Sequence, residues 1–109
     1  MATVYKVLGQ VAPSATTDTT LYTVPASTST VVSTLSIANR SATAATYRIA
    51  IRPAGASIAT THYIAYDASV SANDGILLTI GITLATTDVV TVRASTADLT
   101  FNLFGSEIS

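Results

Sequence analysis

The sequence predicts an all-β protein, a single-domain antiparallel β-sandwich of about eight strands spanning residues 1–109. Three observations predict it. Apolar residues recur with a period of two rather than 3.6, the pattern of strands that bury one face. Short clusters of Gly, Pro, Asn, Asp, Ser and Thr break these runs at close intervals, as hairpin turns require. Threonine supplies 20 of the 109 residues, and its branched Cβ suits a pleated surface while its hydroxyl faces water. Alanine is almost as abundant, with 18 residues, but it is scattered among Thr and Ser without helical spacing.

Taken in order, a first strand covers residues 4–11 and yields to the turn Pro13-Ser14-Ala15-Thr16-Thr17. A second, over 20–24, stops at Pro25, which has no N–H to give a ladder. In the third, Val31, Ser33, Leu35 and Ile37 oppose Thr30, Val32, Thr34 and Ser36. Beyond the turn Asn39-Arg40-Ser41, Tyr47, Ile49 and Ile51 alternate with Thr46, Arg48, Ala50 and Arg52. Pro53-Ala54-Gly55 ends that strand, and His62-Tyr63-Ile64-Ala65-Tyr66 forms a fifth. The clearest strand follows Asn73-Asp74-Gly75, with Ile76, Leu78, Ile80, Ile82 and Leu84 on one face. Leu78 and Ile80 are therefore expected inside and Thr79 outside. After Thr86-Thr87-Asp88, Val90, Val92 and Ala94 oppose Val89, Thr91 and Arg93. Ser95-Thr96-Ala97-Asp98 leads to the last strand, where Leu99, Phe101 and Leu103 alternate with Thr100, Asn102 and Phe104. Jelly-roll and immunoglobulin-like topologies both accommodate this series.

Composition narrows function by exclusion. Five Lys+Arg against six Asp+Glu give a net charge of −1, and charged residues are 10% of the chain, well below the roughly 25% usual for soluble domains. Nucleic acid is not expected as a partner, because phosphate binding needs clustered Lys and Arg. With 49% hydrophobic residues, disorder is not expected either. Cysteine is absent, which removes disulfides and thiolate metal sites. The most apolar stretch, residues 76–85, is about half of the ~20 residues a helix needs to cross a bilayer. The first residues lack the basic and apolar blocks of a secretory signal, so synthesis in a cytoplasm, with no membrane partner, is expected. A nearly uncharged surface repels its neighbours poorly, which points to assembly and a homo-oligomer.

No residue pattern points to catalysis, a cofactor or a metal, and an enzyme is not expected. The one histidine, His62, has no Gly-x-Ser-x-Gly elbow to serve, and Asp67 lies at an odd offset from it, on the opposite face of a regular strand. Asp18, Asp74, Asp88 and Asp98 fall in turns, where a carboxylate accepts local backbone bonds. Asn39-Arg40-Ser41 fits the glycosylation triplet, but without a secretion signal it reads as an ordinary turn. Arg48, Arg52 and Arg93 point outward from their strands, either as solubilising groups or as contacts to an acidic neighbour. Tyr63 and Tyr66 are candidates for stacking on a sugar. The interface set read from the sequence is Arg48, Arg52, Arg93 and Tyr63.

The segments Leu21-Tyr22-Thr23-Val24-Pro25-Ala26, Val31-Val32-Ser33 and Ile37-Ala38-Asn39-Arg40 resemble a group of small virion structural proteins of tailed phages, particularly those of cyanobacteria and other aquatic bacteria. The likeness continues through Tyr47-Arg48-Ile49-Ala50, His62-Tyr63-Ile64-Ala65-Tyr66-Asp67, Gly81-Ile82-Thr83-Leu84, Asp88-Val89-Val90-Thr91-Val92 and Phe104-Gly105-Ser106-Glu107. The resemblance implies a part of the virion and carries over no catalytic residue. A small domain without stalk or collagen-like repeat then suits a capsid decoration (cement) protein, a trimer bound to the major capsid protein where capsomers meet. A tail, neck, baseplate or fibre component is the alternative placement. A carbohydrate-binding module using Tyr63 and Tyr66 is the alternative of another class; it requires an exposed aromatic platform beside hydrogen-bonding groups.

Overall fold

A computed structural model of the chain describes residues 2–109. Eight strands follow one another: β1 Thr3–Val11, β2 Thr19–Thr23, β3 Ser29–Asn39, β4 Ala45–Arg52, β5 Tyr63–Val70, β6 Gly75–Leu84, β7 Val89–Ala94 and β8 Leu99–Ile108. They form two four-stranded antiparallel sheets. Sheet A has the order β1-β8-β3-β6 and sheet B the order β2-β7-β4-β5. The first strand thus pairs with the last, the second with the seventh, the third with the sixth and the fourth with the fifth. That is a long hairpin ribbon rolled on itself, which selects the jelly roll from the two topologies expected.

The core lies where alternation placed it on β4, β7 and the first half of β8. Leu35, Ile37, Ile49, Val90, Val92, Leu99, Phe101 and Leu103 are all but fully buried, and each contributes roughly 1.5–3 kcal/mol by leaving water. Tyr47 is inside as well and meets Phe101 edge to face, with ring centroids 6.5 Å apart. Every buried side-chain nitrogen and oxygen among the described residues has a hydrogen-bond partner.

Three departures from the sequence reading matter for function. The first is in β3, where the single alternation expected from Thr30 to Ile37 is wrong. Thr30 and Val32 are buried, but so are Leu35, Ile37 and Asn39, so the inward parity switches near Ser33. Val32 pairs with Gly105 of β8 and Thr34 with Phe104, leaving Ser33 without a partner on that side. This is a β-bulge. Gly105 accommodates it, because a Cβ there would overlap the Val31 carbonyl.

The second departure is one of degree. In β6, Leu78 and Ile80 face inward and Thr79 outward as expected, yet all four of Ile76, Leu78, Ile80 and Ile82 are only half-buried. The cause is position, since β6 is an edge of sheet A and β5 the facing edge of sheet B. Between these two edges lies an open apolar groove lined by Tyr47, Ile49, Ile64, Ala65, Leu78, Ile80 and Ile82.

The third departure is in β5, which runs to Val70 rather than Tyr66 and is doubly irregular. Tyr47 pairs with Ala68 and Ile49 with Ala65, so Arg48 alone stands opposite both Tyr66 and Asp67. Asp67 has a positive φ of 52°, a left-handed conformation that Asp tolerates better than most residues.

Candidate functional site

The outer face of sheet B collects the polar chemistry. Arg48 of β4 and Arg93 of β7 are directly paired across the ladder, a like-charge juxtaposition that would be unfavourable alone. Carboxylates relieve it on both sides. Arg48 donates to Asp67 through Nε at 2.7 Å and Nη2 at 3.3 Å, a two-pronged fit of planar groups. Arg93 stands 3.8 Å from Asp18, a looser contact. The Arg48 hydrogen bond holds the Asp67 carboxyl below the usual carboxylate range, with the charges of Arg48 and Arg93 adding to it. In return Asp67 keeps the Arg48 guanidinium firmly protonated.

Aromatic rings complete the cluster. The Arg48 guanidinium lies 4.1 Å from the centre of the Tyr66 ring, a cation–π stack. Tyr63 meets Tyr66 edge to face, at 4.9 Å and 85°. The bulge in β5 makes this possible. On a regular strand Tyr66 and Asp67 would point to opposite faces, whereas here both reach Arg48. Beside them a cavity of about 110 Å³ is lined by Thr16, Thr46, Tyr47, Arg48, Asp67, Arg93, Ala94 and Ser95.

Of the four residues read from the sequence, three belong to this cluster: Arg48, Arg93 and, through Tyr66, Tyr63. Arg52 does not. Its Nε donates to the Ala56 carbonyl at 2.7 Å, Nη2 to the Gly55 carbonyl at 3.1 Å and Nη1 to Thr91 Oγ1 at 3.3 Å. Arg52 is a clasp that folds the connection over residues 53–62 back onto sheet B. That cover explains why Val89 and Thr91, on the outward parity of β7, are buried. His62 lies in the same connection, where its Nδ1 accepts the Ala59 N–H at 3.1 Å. Asp88 ties two turns together, accepting from Ala54 N–H at 2.9 Å and Ala85 N–H at 2.8 Å. Among the described residues no three His, Cys, Asp or Glu side chains gather as a metal site would need.

Sheet A presents the opposite character. Lys6 and Glu107 are the only charged residues in its four strands. Both lie on the parity that faces sheet B, where Lys6 Nζ is 3.2 Å from Glu107 and Tyr22 of β2 donates its hydroxyl to the other Glu107 oxygen. The outer face is therefore free of strand charges, and it exposes Tyr5 by 84%, Leu77 by 73% and Val7 by 47%. Tyr5, Lys6, Val31, Ser33, Phe104, Gly105 and Ser106 line a shallow concavity there. These residues had no signal in the sequence beyond their parity, and the bulges at Ser33 and Leu8 decide that parity.

No family model, curated protein or solved structure matches this chain.

Proposed function

We propose that this protein is a structural subunit that works by lying against other proteins, and that it serves in a phage virion, foremost as a capsid decoration (cement) protein. The observation that carries the reading is the outer face of sheet A, a β-sheet surface without strand charges that exposes Tyr5, Val7 and Leu77 to solvent. Tyr5 and Val31 share one row across β1, β8 and β3 with Val7 beside them, and an exposed apolar patch of this kind marks a contact surface. The charged groups that reach it are Lys6, which lines the concavity and is paired with Glu107, and Arg40, bonded to Thr100. The rest of what covering removes from water is hydroxyl and methyl, which avoids most of the several-kcal/mol desolvation cost of buried charges. The free edge of β1 adjoins the same face, offering unpaired backbone groups to a neighbour. The virion context comes from the sequence resemblance, and jelly rolls recur in viral capsids as a matter of fold analogy.

Light scattering on the purified protein tests the assembly reading. A homo-oligomer, a trimer in the form favoured here, is expected, and Val7→Asp with Val31→Asp should reduce it to folded monomers. A strict monomer at high concentration that also fails to bind capsids overturns the reading. Electron microscopy of the particle tests placement: density at capsomer junctions is the expected result, and density confined to the tail replaces cement by a tail component.

A further inference from the structure

We propose that the Tyr66–Arg48–Asp67 cluster on the outer face of sheet B is a saccharide-binding site, with the neighbouring cavity taking a hydroxyl-bearing substituent of the bound sugar. A sugar ring offers an apolar C–H face and a rim of adjacent hydroxyls. Its recognition requires a rigid, accessible aromatic ring and, beside it, polar groups fixed in one plane.

The cluster supplies both. Tyr66 is 57% exposed although one face of its ring lies under the Arg48 guanidinium and its edge is held by Tyr63. The remaining exposure therefore belongs to a ring that is already pinned, and little freedom is lost when a ligand stacks on it. The hydrogen bonds of Arg48 run through Nε and Nη2 to Asp67, so the two N–H groups of Nη1 stay available, as do unused lone pairs of the carboxylate. A donor and an acceptor held in one plane match two adjacent hydroxyls, one accepting and one donating. The cavity of about 110 Å³ beyond them, walled by Thr16, Thr46, Ser95 and Arg93, is too small for a whole sugar ring and suits a hydroxymethyl or similar arm. The irregularity of β5 is what assembles the cluster. The bulge, with Asp67 at a φ of 52°, turns Asp67 and Tyr66 to the same arginine.

The site is on the sheet opposite the proposed docking face, so its test is separate from that of assembly. The full chain is titrated with methyl glycosides of glucose, galactose and mannose, with rhamnose, with N-acetylglucosamine and with sodium sulfate, following backbone amide shifts by NMR. At least one sugar should give saturable shifts at Arg48, Tyr63, Tyr66 and Asp67 with a millimolar dissociation constant. Tyr66→Ala, at an exposed position, should weaken that binding about tenfold or more with the rest of the spectrum unchanged, and Tyr5→Ala on the other sheet should leave it as it was. Shifts from sulfate alone, sugar shifts that survive Tyr66→Ala, or no saturable shift with any of the sugars would each overturn the assignment.

Discussion

Asn39→Ala should destabilise this protein out of proportion to its size. Asn39 ends β3 and is only 4% exposed. Its Nδ2 donates to the carbonyls of Thr43 at 2.9 Å, Ser71 at 3.2 Å and Val70 at 3.4 Å, while Oδ1 accepts from both the amide and the hydroxyl of Ser41 at 3.0 Å. One side chain thus joins the β3–β4 turn to the end of β5 and the turn that follows it. Each net hydrogen bond is worth about 1 kcal/mol, and leaving a buried polar group unpaired costs roughly 1–3 kcal/mol. Removal of the amide strands the buried Val70 carbonyl and takes a donor from the more exposed Ser71 carbonyl. The single Ser41 hydroxyl proton, shared with Oδ1 in the native protein, is then free to go to the Thr43 carbonyl at 2.8 Å. Together these losses come to about 3 kcal/mol, or roughly 10–20 °C in melting temperature for a domain of this length. Ser41→Ala removes one shared hydroxyl from a more exposed place and should cost about 1 kcal/mol. Asn39→Asp keeps the acceptor but sets a carboxylate against carbonyl oxygens, so it should be at least as damaging as Asn39→Ala near neutral pH. Urea unfolding followed by circular dichroism measures all three. An Asn39→Ala loss below about 0.5 kcal/mol, the range of ordinary surface changes, would refute the idea that this amide holds the turns together.

Three further outcomes follow from particular contacts. Tyr22 donates to Glu107, and that bond, with Lys6 beyond it, holds the Glu107 carboxyl below its usual range; burial, reinforced by Glu107, pushes the Tyr22 hydroxyl up to about 12 from 10.0. A depressed carboxylate gives stability that is present above its unfolded pKa and lost as pH falls through the folded one, and a raised phenol gives stability lost as pH climbs from about 10 toward about 12. Thermal melts should therefore fall at both ends, and Tyr22→Phe should flatten both limbs; an unchanged pH profile in Tyr22→Phe counts against the linkage. Gly105→Ala forces a methyl into the Val31 carbonyl and should cost at least about 2 kcal/mol by overpacking, measured by chemical unfolding, with native-like stability as the contrary result. Arg52→Ala opens the clasp over residues 53–62 and should speed thermolysin cleavage at exposed Ile58 without shifting global unfolding by more than about 1 kcal/mol; equal cleavage rates would show that the connection holds itself.

The sequence was legible wherever a strand is regular. β4 and β7 run in continuous register with each other, and β6 keeps its alternation of burial although its register with β3 shifts at Gly81, so Tyr47, Ile49, Leu78, Ile80, Val90 and Val92 face the core as alternation demands. It was illegible at bulges. Ser33 and Asp67 carry no glycine or proline to announce an extra residue, and a single inserted position inverts every side chain beyond it. For that reason Val32 could not be assigned to the core together with Leu35, and Tyr66 could not be joined to Asp67. Topology was hidden for a different reason. Pairing β1 with β8 spans almost the whole chain, and no local signal distinguishes that ribbon from other orders of eight similar strands.

What the bulges produce is a domain with two unlike outer faces. The strands of sheet A point no charge outward, whereas sheet B points Arg48, Arg52, Arg93 and Asp67 outward. The low charge of the chain is thus not spread evenly; it is sorted, and the sorting has a direction. A sandwich that docks through sheet A covers few ions there, Lys6 and Arg40 being the ones that reach that face, and leaves the Tyr66–Arg48–Asp67 cluster facing away from its support, open to the proposed ligand. Docked through sheet B instead, the same domain would have to take the exposed Arg48–Asp67 pair out of water or break it, and the desolvation of paired charges opposes that orientation. Charge reversal separates the two orientations: Arg48→Glu with Arg93→Glu should leave assembly intact while abolishing sugar binding, and loss of assembly in that variant would reverse the assignment of the faces.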